Sequence, residues 1–472
     1  MAQYDVPTLV RAARFAGAGF VVLAAAVVLN SRLAAQQPGS SPYPSGPTVP
    51  SGAVVPHDDT PGDTALPANF PDRFAWKLFL EVNRKAKDQS PVGGKAGNPL
   101  SNDAVWETWA DDSQTFPIHP DPANPPRWPT AGEAPNKAKT LAPPLRRRIE
   151  LLMRSRQLPE RPKGTQLEAV DVGKLTPGGF AAPDGNGVGE EVHRNKVTFD
   201  YIVANGLWYR EGIAAFFDKA ARAAGDDVAF TARTVNLPRA SIEVKANWIV
   251  IDEKDKARFH WNYNAEGQLL GLVATHIISK DLPNWFWCTF EHVDNPGRGD
   301  FIGIHDSFGV DPAHTPSKTG QAGTIYPPET MKEALLKLFD EYGYRGEWAE
   351  QYKNYRLKGS QIDYTDGPGR PLLLGNSVTE SGFVPTSSCI TCHSRAAVNA
   401  NGGSSFPFFG EQGLLPLLNG DSLQPVLTYN GPPDPGWYFL NSGNGSTLHN
   451  LQTDFIWAIP MRAHSSKTAP NP

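Results

Sequence analysis

The chain predicts an α+β fold, with a β-rich middle, flanking helices, long Pro/Gly loops and a mostly helical C-terminal region. Three observations carry that expectation. Apolar residues recur at helical spacing near both ends of residues 70–342. Strict alternation marks the residues around 242–250. Glycine and proline, 44 each, are well above ordinary usage and imply many turns between modest amounts of regular structure.

In chain order, residues 1–35 read as a leader. Arg11 and Arg14 precede the continuous apolar stretch Phe15 to Leu29, and small residues follow up to Ala35. The stretch is shorter than the roughly 20 residues that span a bilayer. A cleaved export signal is expected, with an uncleaved signal anchor as the alternative. Residues 36–66 are a Pro/Gly/Ser-rich linker, too polar and proline-dense to fold a core. An α+β body is expected over 67–370 and a distinct C-terminal region over 371–472.

Pro71 and Asp72 suit a helix start, and Phe74, Leu78 and Val82 continue it on one face. Val105-Trp106-Glu107-Thr108-Trp109 is a short aromatic segment, and 112–143 is proline-rich loop. Leu145, Ile149, Leu152 and Met153 mark a second amphipathic helix whose Arg146-Arg147-Arg148 run is its solvated face. Residues 158–190 are loop; Gly185-Asn186-Gly187-Val188-Gly189 fails the spacing of a dinucleotide loop and reads as a turn. In the middle, Ile242, Val244, Ala246, Trp248 and Val250 alternate with Glu243, Lys245 and Asn247, a half-buried strand. Residues 257–263 and 268–279 flank a hairpin turn at 264–267. The run 285–293 is a strand with Phe286, Cys288, Phe290 and His292 on one side and Trp285, Trp287, Thr289 and Glu291 on the other. Met331, Ala334, Leu335, Leu338 and Tyr342 form the clearest helical stripe, over 329–342.

The run Cys389-Ile390-Thr391-Cys392-His393 carries the chemistry. C-x-x-C-H is the attachment signature of c-type haem: two thiols bond the porphyrin vinyls and the adjacent histidine is the proximal iron ligand. Three cysteines and eleven histidines in 472 residues would produce ~0.0004 such strings by chance. A zinc half-site would want a second ligand pair, and only Cys288 remains. A redox dithiol would want a βαβ context that the sequence does not display. Ser394 to Val398 is expected to continue the helix that carries His393, with Ala396 and Ala397 small enough to lie against a porphyrin edge. One covalent haem c also agrees with an export signal, so a periplasmic or otherwise exported location is expected, anchored to the inner membrane by residues 15–29 if the signal stays.

With two thiols committed to haem, Cys288 has no disulfide partner and is expected to be a buried, inert thiol. The net charge of −5, slightly more negative without the leader, argues against nucleic acid as a partner. A redox partner protein or a small electron donor or acceptor is expected instead. The sixth iron position decides function. Met461, in the apolar run Phe455-Ile456-Trp457-Ala458-Ile459-Pro460-Met461 expected to pack on the haem region, is the candidate sixth ligand, with core packing as its plain alternative. Met153 and Met331 sit on core-like stripes. His260, His276, His292, His305, His449 and His464 each read more simply as satisfied or exposed histidines. Trp285, Trp287, Glu291, His292 and Asp294 form a cluster that reads either as proton- or radical-handling groups or as a Trp-rich core strand ending in a polar turn.

Phe74-Ala75-Trp76, Val105-Trp106-Glu107-Thr108-Trp109, Glu243-Val244-Lys245-Ala246, Phe290-Glu291-His292-Val293-Asp294-Asn295 and Ser388 through Ala396 resemble a family of large exported bacterial monohaem proteins, the generic cytochrome c family proteins. The similarity runs through most of 70–463. It implies covalent haem and periplasmic placement, and no particular reaction. The single motif separates the chain from dihaem peroxidases. Three function classes follow: an electron-transfer cytochrome, a haem enzyme of peroxidase or oxidoreductase type with an open sixth site, and a haem-based sensor or binding module. A saturated iron favours the first. An open iron with an acid/base group nearby favours the second, and an open iron in an apolar pocket the third.

Overall fold

A computed structural model describes residues 66–86, 102–129, 189–224, 233–263, 268–295, 306–311, 330–369, 372–376, 378–380, 387–405, 432–433, 435–442 and 445–467. The leader, the linker up to residue 65, the helix expected around Leu145–Met153, residues 185–188, the 264–267 turn and His305 lie outside the described residues. Among the described residues no helix is long and apolar enough to cross a membrane.

An antiparallel sheet organises the chain. Its strands are β1 (Ala110–Asp111), β2 (Gly189–Arg194), β3 (Ile242–Val250), β5 (Leu269–Ser279), β6 (Phe286–His292) and β9 (Tyr355–Gln361), in that spatial order, with β4 (Trp261–Tyr263) paired to the start of β5. The β4/β5 hairpin and strands β3 and β6 follow the alternation and turn signals of the sequence. β5 is buried along nearly its whole length, which suits its unbroken Leu-Leu-Gly-Leu-Val-Ala run and means that both sheet faces are covered.

One face is an apolar core. Val244 of β3, Ile277 of β5 and Cys288 of β6 stand in register, and Phe286 and Phe290 flank Cys288 on the same side. Helix α1 (Pro71–Val82) lies on this face, as its spacing predicts. Phe79 stacks on Phe290 with ring centroids 4.1 Å apart, Trp76 meets Phe290 edge-on at 5.0 Å, and Phe74 meets Phe286 at 4.7 Å. Helices α4 (Glu333–Glu341) and α5 (Gly346–Tyr352) close the layer with Leu335, Leu338, Phe339 and Tyr352. The stripe of α4 is shifted from the expected one. Met331 belongs to strand β8 (Thr330–Met331), paired with β7 (Val310–Asp311), Ala334 is exposed, and Phe339 takes its place in the core. Trp106 enters from a 3₁₀ turn at Val105–Thr108.

The other face differs from the expected half-buried strand. Glu243 and Asn247 are buried: Glu243 faces Arg194 of β2 at 3.6 Å, and Asn247 Oδ1 accepts from Thr379 Oγ1 at 2.6 Å. Lys245, His276 and Thr289 form a cross-strand row here, and Glu243, Ile278, Trp287 and Gln361 form the row beside it. Helices α2 (Lys196–Ala204), α3 (Arg210–Ala223), α6 (Cys389–His393) and α7 (Ala458–Arg462) supply the second apolar cluster, with Ile202, Ile213, Phe217, Ile390, Phe455 and Ile459 around Trp287.

The described C-terminal residues are not mostly helical. They carry two five-residue helices and five short strands: β10 (Ala397–Val398), β11 (Ser404–Ser405), β12 (Phe439–Ser442), β13 (Gly445–Leu448) and β14 (Leu451–Gln452). α6 stops at His393. Tyr438 Oη (2.7 Å) and Gln452 Nε2 (2.6 Å) donate to the Ser394 carbonyl, and Ala397–Val398 then pair with both β11 and β14. The helix expected to run on to Val398 is therefore a turn followed by a strand. Ala396 and Ala397 are buried in that strand segment rather than on a helix flank.

Candidate functional site

The Cys389–His393 turn is seated on the polar face of the sheet by specific hydrogen bonds. Gln361, on edge strand β9, donates from Nε2 to Ser388 Oγ (3.0 Å), and its Oε1 accepts from the Ile390 amide (3.1 Å). One buried amide thus satisfies an amide that the first turn of α6 leaves without an intrahelical partner. Ile390 drops into the apolar cluster, and the Cys392 amide closes the turn on the Ser388 carbonyl at 2.9 Å. Cys389 and Cys392 are free thiols, half-buried, on one side of this turn.

His393 is fixed by two contacts from distant parts of the chain. Its Nδ1 lies 2.8 Å from the Phe455 carbonyl, and its ring packs on the Trp287 indole with centroids 4.7 Å apart. A carbonyl can only accept, so Nδ1 carries the proton and the neutral ring keeps its lone pair on Nε2. Burial pushes the His393 pKa down to about 4, against the opposing pull of the Phe455 carbonyl, and the positive charges of Lys245 and His276 push the same way. The ring is neutral at pH 7, which a metal-ligating imidazole must be.

Beside the motif, the cross-strand row contributes a charged set. His276 Nε2 lies 3.0 Å from Glu380 Oε1 and 3.2 Å from Asn376 Nδ2. Asn376 also donates to Thr289 Oγ1 (2.9 Å), and its own amide donates to Glu380 Oε2 (2.7 Å). Burial would raise the Glu380 pKa, but His276 and Lys245 outweigh it and keep the carboxylate ionised. Lys245 pairs with Glu190 at 3.0 Å. Sequence reading missed Lys245, Asn376, Glu380 and Gln361 as site residues. The signal was the polar side of the β3 alternation, which could equally have faced water.

The remaining expected groups scatter. Met461 sits on α7, half-buried, with its amide bonded to the Trp457 carbonyl at 3.1 Å; Phe455, Ile456, Ala458 and Ile459 supply the packing against Ile390. Trp285, Trp287, Glu291, His292 and Asp294 are not one cluster. Trp287 faces His393, Trp285 bonds Asp454, Glu291 lies 3.5 Å from Lys358, and His292 stacks on Phe259 at 3.7 Å. Asp294 pairs with Arg258 at 2.7 Å. His260 is buried against Glu107 at 2.6 Å, and His449 is exposed. Cys288 is buried on the apolar face, and burial raises its thiol well above the ordinary range.

These features discriminate between the chemistries a C-x-x-C-H can serve. A reactive dithiol needs depressed thiol pKa values. Burial raises both Cys389 and Cys392 instead. A protein-held zinc ion needs more ligands than the motif supplies, and among the described residues no group of three or more His, Cys, Asp and Glu is placed to hold a metal ion. Two unpaired thiols on one turn, followed by a neutral histidine with its Nδ1 proton bound to a backbone carbonyl, fit covalent haem with His393 as an axial ligand. Comparison with protein-family models, with curated proteins and with solved structures gave no match.

Proposed function

We propose that this protein is an exported monohaem c-type cytochrome that holds one haem c through Cys389, Cys392 and His393 and transfers electrons. The observation that carries the reading is the pairing of the motif with the Phe455 carbonyl at 2.8 Å from His393 Nδ1. Bound haem would supply reversible one-electron chemistry. The chain's own residues do the rest. Gln361 and Ile390 seat the turn, Trp287 and Phe455 orient the imidazole, and the apolar cluster keeps water from one side of it. In this reading the redox partner is a protein or a small electron donor or acceptor, and Met461 is the candidate sixth ligand. The α+β body over 67–370 then serves as the platform on which the haem region of 371–472 is mounted.

A second reading draws on His276 held 3.0 Å from Glu380: a haem-dependent oxidoreductase with an open sixth position, in which this imidazole, oriented by the carboxylate, relays protons. One experiment separates the two. The exported protein is denatured and tested for retained haem, and the native reduced protein is then exposed to carbon monoxide. Retained haem with an unchanged spectrum is expected for the cytochrome. A prompt Soret shift would replace it with the oxidoreductase reading, and haem lost on denaturation would end both.

A further inference from the structure

Three non-glycine residues among those described have positive φ: Trp285 (61°), Asp454 (49°) and Phe455 (69°). L-residues with large side chains avoid this region, and such strain persists only where surrounding contacts over-determine it. All three belong to one knot. Asp454 Oδ1 accepts from Lys280 Nζ and from Trp285 Nε1 (3.2 Å), while its Oδ2 accepts from the Leu237 amide (2.7 Å). Lys280 also donates to the Pro283 carbonyl at 3.0 Å. Thr453, one residue before, donates its amide to the Ala396 carbonyl at 2.8 Å. The next residue after Asp454 is Phe455, whose carbonyl accepts from His393 Nδ1. Its left-handed conformation sets the direction of that carbonyl. The pair is well shielded, with the side chains of Lys280 and Asp454 only 10% and 6% exposed.

We propose that Asp454 is a positioning residue for His393: clamped by Lys280, Trp285 and the Leu237 amide, it holds Phe455 left-handed so that the Phe455 carbonyl stays on Nδ1 and sets how strongly the imidazole donates through Nε2. The inference rests on the haem reading above. A hydrogen bond at the outer nitrogen of a ligating histidine raises its basicity. A stronger donor favours oxidised iron, so the clamp lowers the reduction potential. The strain at three residues is the cost of aiming one carbonyl.

The test uses the exported holoprotein and three graded variants, Trp285→Phe, Asp454→Asn and Asp454→Ala. Trp285→Phe removes one donor while keeping an apolar ring, so it remains readable if Asp454→Ala does not fold. Each is measured for haem retained after denaturation, for thermal melting and for midpoint potential. The expected result is full haem attachment with the potential rising from wild type through Trp285→Phe and Asp454→Asn to Asp454→Ala. Potentials equal to wild type, whatever happens to melting, would overturn the assignment and leave Asp454 a purely structural residue. A wild-type protein without covalent haem would overturn the haem reading itself, which the potentials of the variants cannot do.

Discussion

The two faces of the sheet are built on different physics. On one, Trp76, Phe79, Phe286, Phe290 and Phe339 interlock through ring contacts around the inert Cys288, and the buried Asp306 is held there by the Trp76 indole at 2.9 Å. On the other, Gln361, Asn376, Thr289, His276 and Glu380 tie the covering loops down by directed hydrogen bonds beside the apolar cluster that holds Trp287 and Ile390. The difference shows how a short, loop-rich segment can be held precisely. It borrows a rigid β surface whose far side supplies the stability, and it is registered on the near side by individual bonds.

Four perturbations break or sharpen that contrast. The largest effect belongs to the motif: Cys389→Ser with Cys392→Ser should abolish haem retained on denaturation while far-UV circular dichroism stays native, because the sheet does not depend on those thiols. Next is the apolar face. Phe290→Ala should cost about 3–5 kcal/mol in denaturant unfolding, with the optical spectrum of the remaining folded protein unchanged; an altered spectrum would mean that the faces are coupled. Gln361→Leu should cost about 1–3 kcal/mol by stranding the Ile390 amide, and here the spectrum should change, since the His393 turn loses its seat.

The smallest effect is a pH slope. Burial raises Glu243 to about 7 from an ordinary carboxylate value of about 4.5, opposed by Arg194 at 3.6 Å and Lys245 and reinforced by Asp112. The folded state therefore holds a proton that the unfolded chain has released, and Glu243 makes stability fall as pH rises from about 4.5 to about 7. Glu243→Gln should flatten the melting temperature across that window. An unchanged slope would show that Glu243 is ionised throughout against Arg194.

Much of the fold was legible because it rests on periodicity. α1, β3, the β4/β5 hairpin, β6 with its two faces, and the core side of α4 all follow from apolar spacing. Cys389, Cys392 and His393 stand out as candidates from sequence alone because their spacing matches a known attachment signature. The rest of the site was hidden for a physical reason. Lys245, His276, Gln361, Asn376 and Glu380 meet through strand register and loop docking, which no local pattern encodes. The end of α6 was misjudged because Ser394-Arg395-Ala396-Ala397-Val398 is compatible with helix. What stops it is the capture of the Ser394 carbonyl by Tyr438 and Gln452, more than 40 positions away. Of the two readings of Trp285–Asp294, the Trp-rich core strand ending in a polar turn is the one observed, with Trp285 just outside the strand at a positive φ.

The sheet also divides the chain's sulfur. Cys288 points into the aromatic core on one side, while Cys389 and Cys392 lie against the opposite side. Thiol–disulfide exchange requires sulfur-to-sulfur contact along an open line of attack, and strand β6 stands in that line. Once the sheet has formed, it keeps Cys288 from forming an intrachain disulfide with either motif cysteine. The third thiol is thereby kept out of any intrachain chemistry between the two motif cysteines.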